Sequence, residues 1–266
     1  VKKALTLAGS DTSGGAGIQA DLKTFQALDV YGMSALNTIV TMDPENGWAH
    51  GVHPIPLETV KAQLETILST GIDAMKTGML STAEIIGTAA DLMDRYEIHH
   101  AVVDPVMVCK GENDVLHPEN KEALRDRLVS KATIVTPNLF EASQLAGTEP
   151  ITTLEEMKAA ARAIHRLGPK YVLIKGGSGL SHERAVDLLY DGERFTTYES
   201  EKLDTPHTHG AGCTYSAAIT AGLAHGKSVE ESVRMAKNFI TEAIRNGFPL
   251  NQYVGPVRQM KANFKG

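Results

Sequence analysis

Two cysteines in 266 residues leave no disulfide framework to read. They point to a reducing compartment, with a pairing of Cys109 and Cys213 left open. No apolar run approaches the length that spans a bilayer, which argues against a membrane role. Positive charge is also scarce. Lys and Arg number 26 against 32 Asp and Glu, a formal net charge of -6, whereas nucleic-acid binding leaves a basic footprint. The segment VKKALTLAG holds two lysines, but its short apolar run breaks at Gly9, so it reads as a first strand and not a signal peptide. Repeats, low-complexity segments and linkers are missing. What is present is the composition of a soluble globular protein, 42% hydrophobic and 22% charged, long enough for one α/β domain or two small ones.

Strand-like and helix-like segments alternate along the chain. Residues 3–8 read as a strand running into the loop GSDTSGGAG, and Ile18, Leu22, Phe25 and Leu28 then recur at helical spacing. Residues 33–41 read as a second strand, and 42–54 as an irregular segment carrying His50 and the one Trp. Further strands are expected at 74–76, 101–104, 133–136 and 171–175, with a hairpin over 185–198 turning at Asp191-Gly192. Helices are expected over 56–69 and 118–129, and Ser81 with Glu84, Thr153 with Glu156, and Ser228 with Glu231 read as capping boxes. This order predicts an α/β fold over residues 1–266: one domain whose central, mostly parallel sheet is flanked by helices on both faces. The right-handed crossover rule then gathers Asp11, Asp104, Asn138, Lys175 and residues 210–213 along the carboxyl edge of the strands.

The stretch PHTHGAGCTYSAAITAG, residues 206–222, carries the strongest chemical signal. Gly210 and Gly212 permit a tight backbone turn with inward amides, and an alanine-rich helix follows. A helix N-terminus offers free N–H groups and a positive dipole end, a ready anion cradle. Cys213 stands where loop becomes helix, a position that favours thiolate. An anion hole beside a base suggests chemistry on a phosphate; a tight βα turn with a small buried Cys is the competing reading. Two others are a thiol hydrolase pairing Cys213 with His207 or His209, and a metal on those histidines, for which further ligands at suitable spacing are missing. Asp11 serves either as a ligand to a substrate hydroxyl or as a turn former. Asn138 and Glu141 are explained by helix capping alone. Lys175 before Gly176-Gly177 is a second phosphate-site candidate.

Taken together, AGSDTSGGAGIQADLKTF, KTGML, VVDPVM, TPNLFEA, IKGG and HGAGCTYSAAI run nearly end to end. They resemble the ribokinase-like superfamily, in its branch of hydroxymethylpyrimidine (phosphate) kinases and pyridoxal kinases. The resemblance implies transfer of the ATP γ-phosphate to a primary alcohol on a small heterocycle, with magnesium and room for a monovalent cation. It implies an anion hole of Gly210, Ala211 and Gly212, with Cys213 as the base where sugar kinases of the superfamily carry Asp. Asn138, Lys175, Gly176, Gly177 and Asp187 would line the ATP site, and Glu141 and Asp104 would lie near the metal. Asp11, Gly17, Met79 and Val106 would face the ring, with His50 closing over it. Pyrimidine kinases follow the second strand with Ala-Gln; Met42-Asp43 here argues for a pyridine ring. Cys109 resembles the lid thiol of a pyridoxal kinase subgroup, where it adds to the aldehyde as a hemithioacetal. The expected function is phosphorylation of the 5-hydroxymethyl group of pyridoxal and related B6 vitamers. The alternative is a hydroxymethylpyrimidine (phosphate) kinase of thiamine biosynthesis. A cytoplasmic homodimer is expected.

Overall fold

The computed structural model describes residues 1–107 and 118–260. β1 (Lys2–Asp11) leads through a glycine loop into α1 (Gly17–Ala27) and back into β2 (Val30–Asp43), which pairs with β1 in parallel. β3 (Ala49–Pro54) returns antiparallel to β2. There follow α2 (Leu57–Leu68), β4 (Ala74–Thr77), α3 (Ala83–Arg95) and β5 (Ala101–Val103). α4 (Pro118–Ala123) precedes β6 (Ile134–Val135), and α5 (Leu139–Ala146) and α6 (Leu154–His165) precede β7 (Tyr171–Lys175). The hairpin of β8 (Ala185–Tyr190) and β9 (Phe195–Ser200) precedes α7 (Ala211–Ala224) and α8 (Val229–Arg245).

The strands form one sheet of nine in the order β3-β2-β1-β4-β5-β6-β7-β8-β9. The six from β2 to β7 in that order are joined in parallel, and β3, β8 and β9 are antiparallel additions at the two edges. The chain winds outward from β1 to β3, then resumes at β4 on the other side of β1. That reversal opens a crevice at the carboxyl ends of β1 and β4, the place where open α/β sheets take ligands.

Side chains divide by the two-residue alternation of the strands. Leu5 and Leu7 join a core under α2 through α6, while Ala4 joins one under α1, α7 and α8. α7 is buried from Thr214 to Ala224, enclosed by the sheet, α1 and α8. A helix covered all round must be slender, which its alanines and glycines supply, and must pair its buried polar groups, as Tyr215, Ser216 and Thr220 do. At Gly222 the approach of α8 is so close that an added Cβ would lie 3.0 Å from Ser232 Cα.

Three local expectations are corrected. Residues 42–54 are not irregular: Met42 pairs with His50 and Val40 with Val52 in a hairpin. It is an edge ribbon, largely exposed, so the apolar alternation that marks a half-buried strand never develops. Trp48, at its tip, stacks on Tyr253 with centroids 5.9 Å apart. Thr82, not Ser81, caps α3, accepting from Ile85 N–H, because Ser81 is held by Asn37, whose Oδ1 accepts from Ser81 N–H at 3.0 Å. The helix expected over 118–129 widens after Ala123 into a π turn, Leu124–Leu128, and tightens into a 3₁₀ turn, Val129–Lys131. The capping boxes at Asn138, Thr153 and Ser228 form as predicted.

Gly222→Val should separate α7 from α8 and destabilise the fold by about 1–3 kcal/mol, the usual penalty for overpacking. Urea denaturation checks it, and an unchanged midpoint would show that the contact tolerates a larger side chain.

Candidate active site

Two glycine-bearing loops meet at the crevice. The first follows β1, where the Asp11 carboxylate accepts from Ser13 N–H at 2.8 Å, Ser13 Oγ–H at 2.7 Å and Ala16 N–H at 2.8 Å. The second precedes α7 and delivers His209, whose Nε2 lies 2.7 Å from Asp11 Oδ2. Burial pushes the Asp11 carboxyl up, but His209 and Ser13 outweigh it and hold it at about 2. Asp11 thus shapes the turn, with its oxygens engaged within the protein, and it also lines the cavity. Gly210 completes the interlock. Its φ of +78° suits glycine, and a Cβ there would fall 1.8 Å from Gly15 O.

Two cavities adjoin at this interlock. The first, about 300 Å³, takes in Asp11, Gly17, Met42, His50, Met79, Val106 and Cys213. It suits a small heterocycle with an apolar body. His50, from the edge hairpin, brings a buried Nδ1 with no hydrogen-bond partner among the described residues. The second, about 600 Å³, takes in Gly176, Gly177, Asp187, Leu203, Lys237 and Ile240. Asn138, Lys175, Ala211 and Gly212 belong to both walls. Cys213 opens only on the smaller cavity. Gly210, Asp104 and Glu141 line the smaller cavity too, so the rim predicted from topology assembles. Cys109 lies outside the described residues.

The anion hole differs in detail from expectation. Ala211 N–H donates to Thr208 O at 3.1 Å and is not free, and Thr214 N–H donates to Gly210 O at 2.9 Å. Among the described residues, the Gly210, Gly212 and Cys213 amides are left as open donors at the start of α7. The thiol also departs from expectation. Enclosure by protein pushes Cys213 up to about 11, and Asp21 and Asp104 add to this. Lys76 pulls the other way without reversing it. The helix N-terminus is thus outweighed by desolvation.

Opposite the amides, Lys175 Nζ lies 3.1 Å from Asp104 Oδ1. Asp104 also accepts from Thr136 Oγ1 and Ser216 Oγ. Glu141 caps α5 by accepting from Asn138 N–H at 2.9 Å. Burial raises Glu141 to about 7, Lys175 opposes the rise and Asp104 adds to it. Capping explains the local role of Glu141 but not its burial beside a cation. Among the described residues no group of three metal-ligating side chains forms, His207 and His209 included.

Asp187 does more than line the larger cavity. It accepts from Gly176 N–H at 3.1 Å, Tyr215 Oη–H at 2.9 Å and Lys237 Nζ at 2.7 Å, tying the β7 loop to α7 and α8. Sequence reasoning passed over Lys237, Tyr215, the His209–Asp11 pair and the buried Lys76–Asp21 pair. A charge at a position that the apolar periodicity makes core-facing is the one signal that could have found Lys76 and Lys237.

The family profile for phosphomethylpyrimidine kinase matches residues 11–258. The chain is 60% identical over 257 residues to a pyridoxine kinase of Bacillus subtilis, covering 96% of this chain and 95% of that protein. It is 42% identical to a hydroxymethylpyrimidine/phosphomethylpyrimidine kinase of the same organism, covering 96% of this chain and 94% of that protein. Its fold is similar to the structure of a Staphylococcus aureus pyridoxal kinase in complex with AMP-PCP and pyridoxal. There the TM-score is 0.94 at 50% identity, over 99% of this chain and 95% of that one.

Asp11→Asn should cost about 2 kcal/mol near neutral pH, the worth of a carboxyl held near 2 instead of 3.8. A depressed acid contributes stability above its ordinary pKa and loses it as pH falls through the folded value. The difference between parent and variant in urea midpoint should therefore shrink from pH 4 downward, and a pH-independent difference would reject the ionised carboxylate and its hydrogen bonds to His209 and Ser13 as its cause.

Proposed function

The chain belongs to the phosphomethylpyrimidine kinase family, and on that premise we infer that it transfers the terminal phosphoryl group of ATP to the 5-hydroxymethyl group of pyridoxal and related B6 vitamers. The observation that carries this reading is the shared wall. Two cavities of heterocycle and nucleotide size touch at Gly212 and Lys175, and the thiol opens on the smaller one.

The chemistry follows from position. The Gly212 and Cys213 amides receive the transferring phosphoryl oxygens, and Lys175 offsets their charge from the opposite wall. The acceptor alcohol lies toward Cys213. As the new O–P bond forms and the bond to ADP breaks, the alcohol oxygen becomes acidic and its proton passes to Cys213 Sγ. A thiol raised to about 11 is a scarce thiolate at neutral pH but a strong base once formed. Most of the rate comes from holding the alcohol in line with the phosphate.

The residues fit a magnesium ion carried in on the nucleotide. Asp104 and Glu141 flank Lys175, and Glu141, raised to about 7 by burial, is a carboxylate that a cation would stabilise. Two carboxylates without a third ligand suit an ion held largely by substrate phosphates. Magnesium there neutralises charge on the phosphates. The same reading includes a cytoplasmic homodimer, with a monovalent cation as a further cofactor.

The ring preference rests on Met42. Its thioether lines the acceptor cavity, and a thioether offers an aminopyrimidine edge only a weak acceptor. Turnover of a panel of pyridoxal, pyridoxine, pyridoxamine and hydroxymethylpyrimidine with ATP and magnesium tests the reading. Faster turnover of hydroxymethylpyrimidine than of every B6 vitamer would reject it.

Cys213→Ala should lower kcat by about 10²–10⁴-fold, the range for a general base, while nucleotide still binds. Parental kcat should climb with pH below about 11, as expected of a raised thiol; a flat profile, or near-parental turnover of the variant, removes the thiol as base. Cys109→Ala should impair pyridoxal much more than pyridoxine, which has no aldehyde for a thiol to attack. Equal losses would exclude a covalent link.

A further inference from the structure

A buried cation lies behind the wall of the acceptor cavity. Lys76 on β4 and Asp21 on α1 both have side chains 0% exposed. Asp21 Oδ2 accepts from Lys76 Nζ at 2.9 Å and from Thr6 Oγ1 at 2.6 Å. Among the described residues no second acceptor meets the Lys76 ammonium, which has three N–H groups, and Asp21 Oδ1 has no partner at all. A pair so sparsely hydrogen-bonded is a poor source of stability, because desolvating two charges costs several kcal/mol per ion. Its location suggests another use. A Cβ added at Gly78 would lie 3.1 Å from Lys76 Nζ, and Gly78 lines the acceptor cavity together with Cys213. α7, which carries Cys213, packs directly on β4.

The charges around the thiol can be named. Lys76 and Lys175 favour a thiolate, and Asp21 and Asp104 oppose it. Lys175 is engaged with Asp104 at the wall between the cavities. Lys76 lies beside Asp21, with Asp104 and the thiol within electrostatic reach on the acceptor side.

We propose that Lys76 is a positioning residue for proton transfer, its ammonium held by Asp21, which Thr6 braces, so as to stabilise the thiolate of Cys213 that accepts the alcohol proton. The oxygen of the alcohol forms its bond to phosphorus, the bond to ADP breaks, the proton moves to Sγ, and the thiol later returns it to water. The proposal rests on the phosphotransfer reading of the site, yet the test needs no turnover.

With Cys109→Ser, Cys213 is the one cysteine left in the chain. Its alkylation by iodoacetamide, followed by mass spectrometry across pH, reports the thiolate directly. Lys76→Met in that background should slow alkylation about tenfold or more at a fixed pH, the equivalent of one pH unit. Lys76→Arg, which keeps the charge, should restore the parental pH profile. Where Lys76→Met does not fold, Asp21→Asn with Lys76→Met removes both charges and leaves no carboxylate unpaired; alkylation should still slow, because the ammonium, and not the carboxylate, stands against the Gly78 wall of the acceptor cavity. A parental profile in Lys76→Met, or in the double variant, overturns the proposal. Equal slowing in Lys76→Met and Lys76→Arg overturns it as well, since packing alone would then be the cause. A profile that moves as expected in a protein that phosphorylates no vitamer would instead sink the kinase reading and leave the charge effect standing.

Discussion

The contact between Gly210 and the Gly15 carbonyl is the constraint that the site depends on. It forces the loop after β1 and the loop before α7 into one layer, and the 2.7 Å pair of His209 with Asp11 locks them there. With the loops interlocked, Gly17 at the start of α1 and Cys213 at the start of α7 line the same cavity. The open amides of α7 then point at the boundary between the two cavities. Loosening either loop would move the thiol, the amides and the acceptor wall together.

Burial sets the electrostatics around that layer. It lifts Cys213 and Glu141, and the buried lysines Lys76, Lys175 and Lys237 each lie against a carboxylate. Each of these lysines comes from a strand or helix facing the crevice, and each is paired across the fold: with Asp21 from α1, Asp104 from the end of β5, and Asp187 from β8. A site that handles phosphate gains from dry, fixed cations, because in low dielectric each interaction is stronger and needs no reorganisation during transfer.

How much of this could be read from residues alone follows from the range of each interaction. Capping boxes at Asn138, Thr153 and Ser228 span three residues and were legible. So was the parallel core, since β5 and β7 are apolar runs, and topology alone brought the rim residues together. The edge hairpin was hidden because its exposed strands lack an apolar rhythm. The long-range pairs were hidden for a different reason. His209 and Asp11 stand 198 positions apart and Lys76 and Asp21 stand 55 apart, and nothing local announces either partner. The direction of the Cys213 shift was misjudged because the helix terminus is visible in a sequence, while the depth of protein around a sulfur is not.

The stack of Trp48 on Tyr253 has one more consequence. Trp48 is the chain's single tryptophan, and it sits at the tip of the same hairpin that carries His50 into the acceptor cavity. Indole emission excited at its red edge therefore arises from one place only, and nature has installed an optical gauge on the ribbon that brings His50 to the cavity.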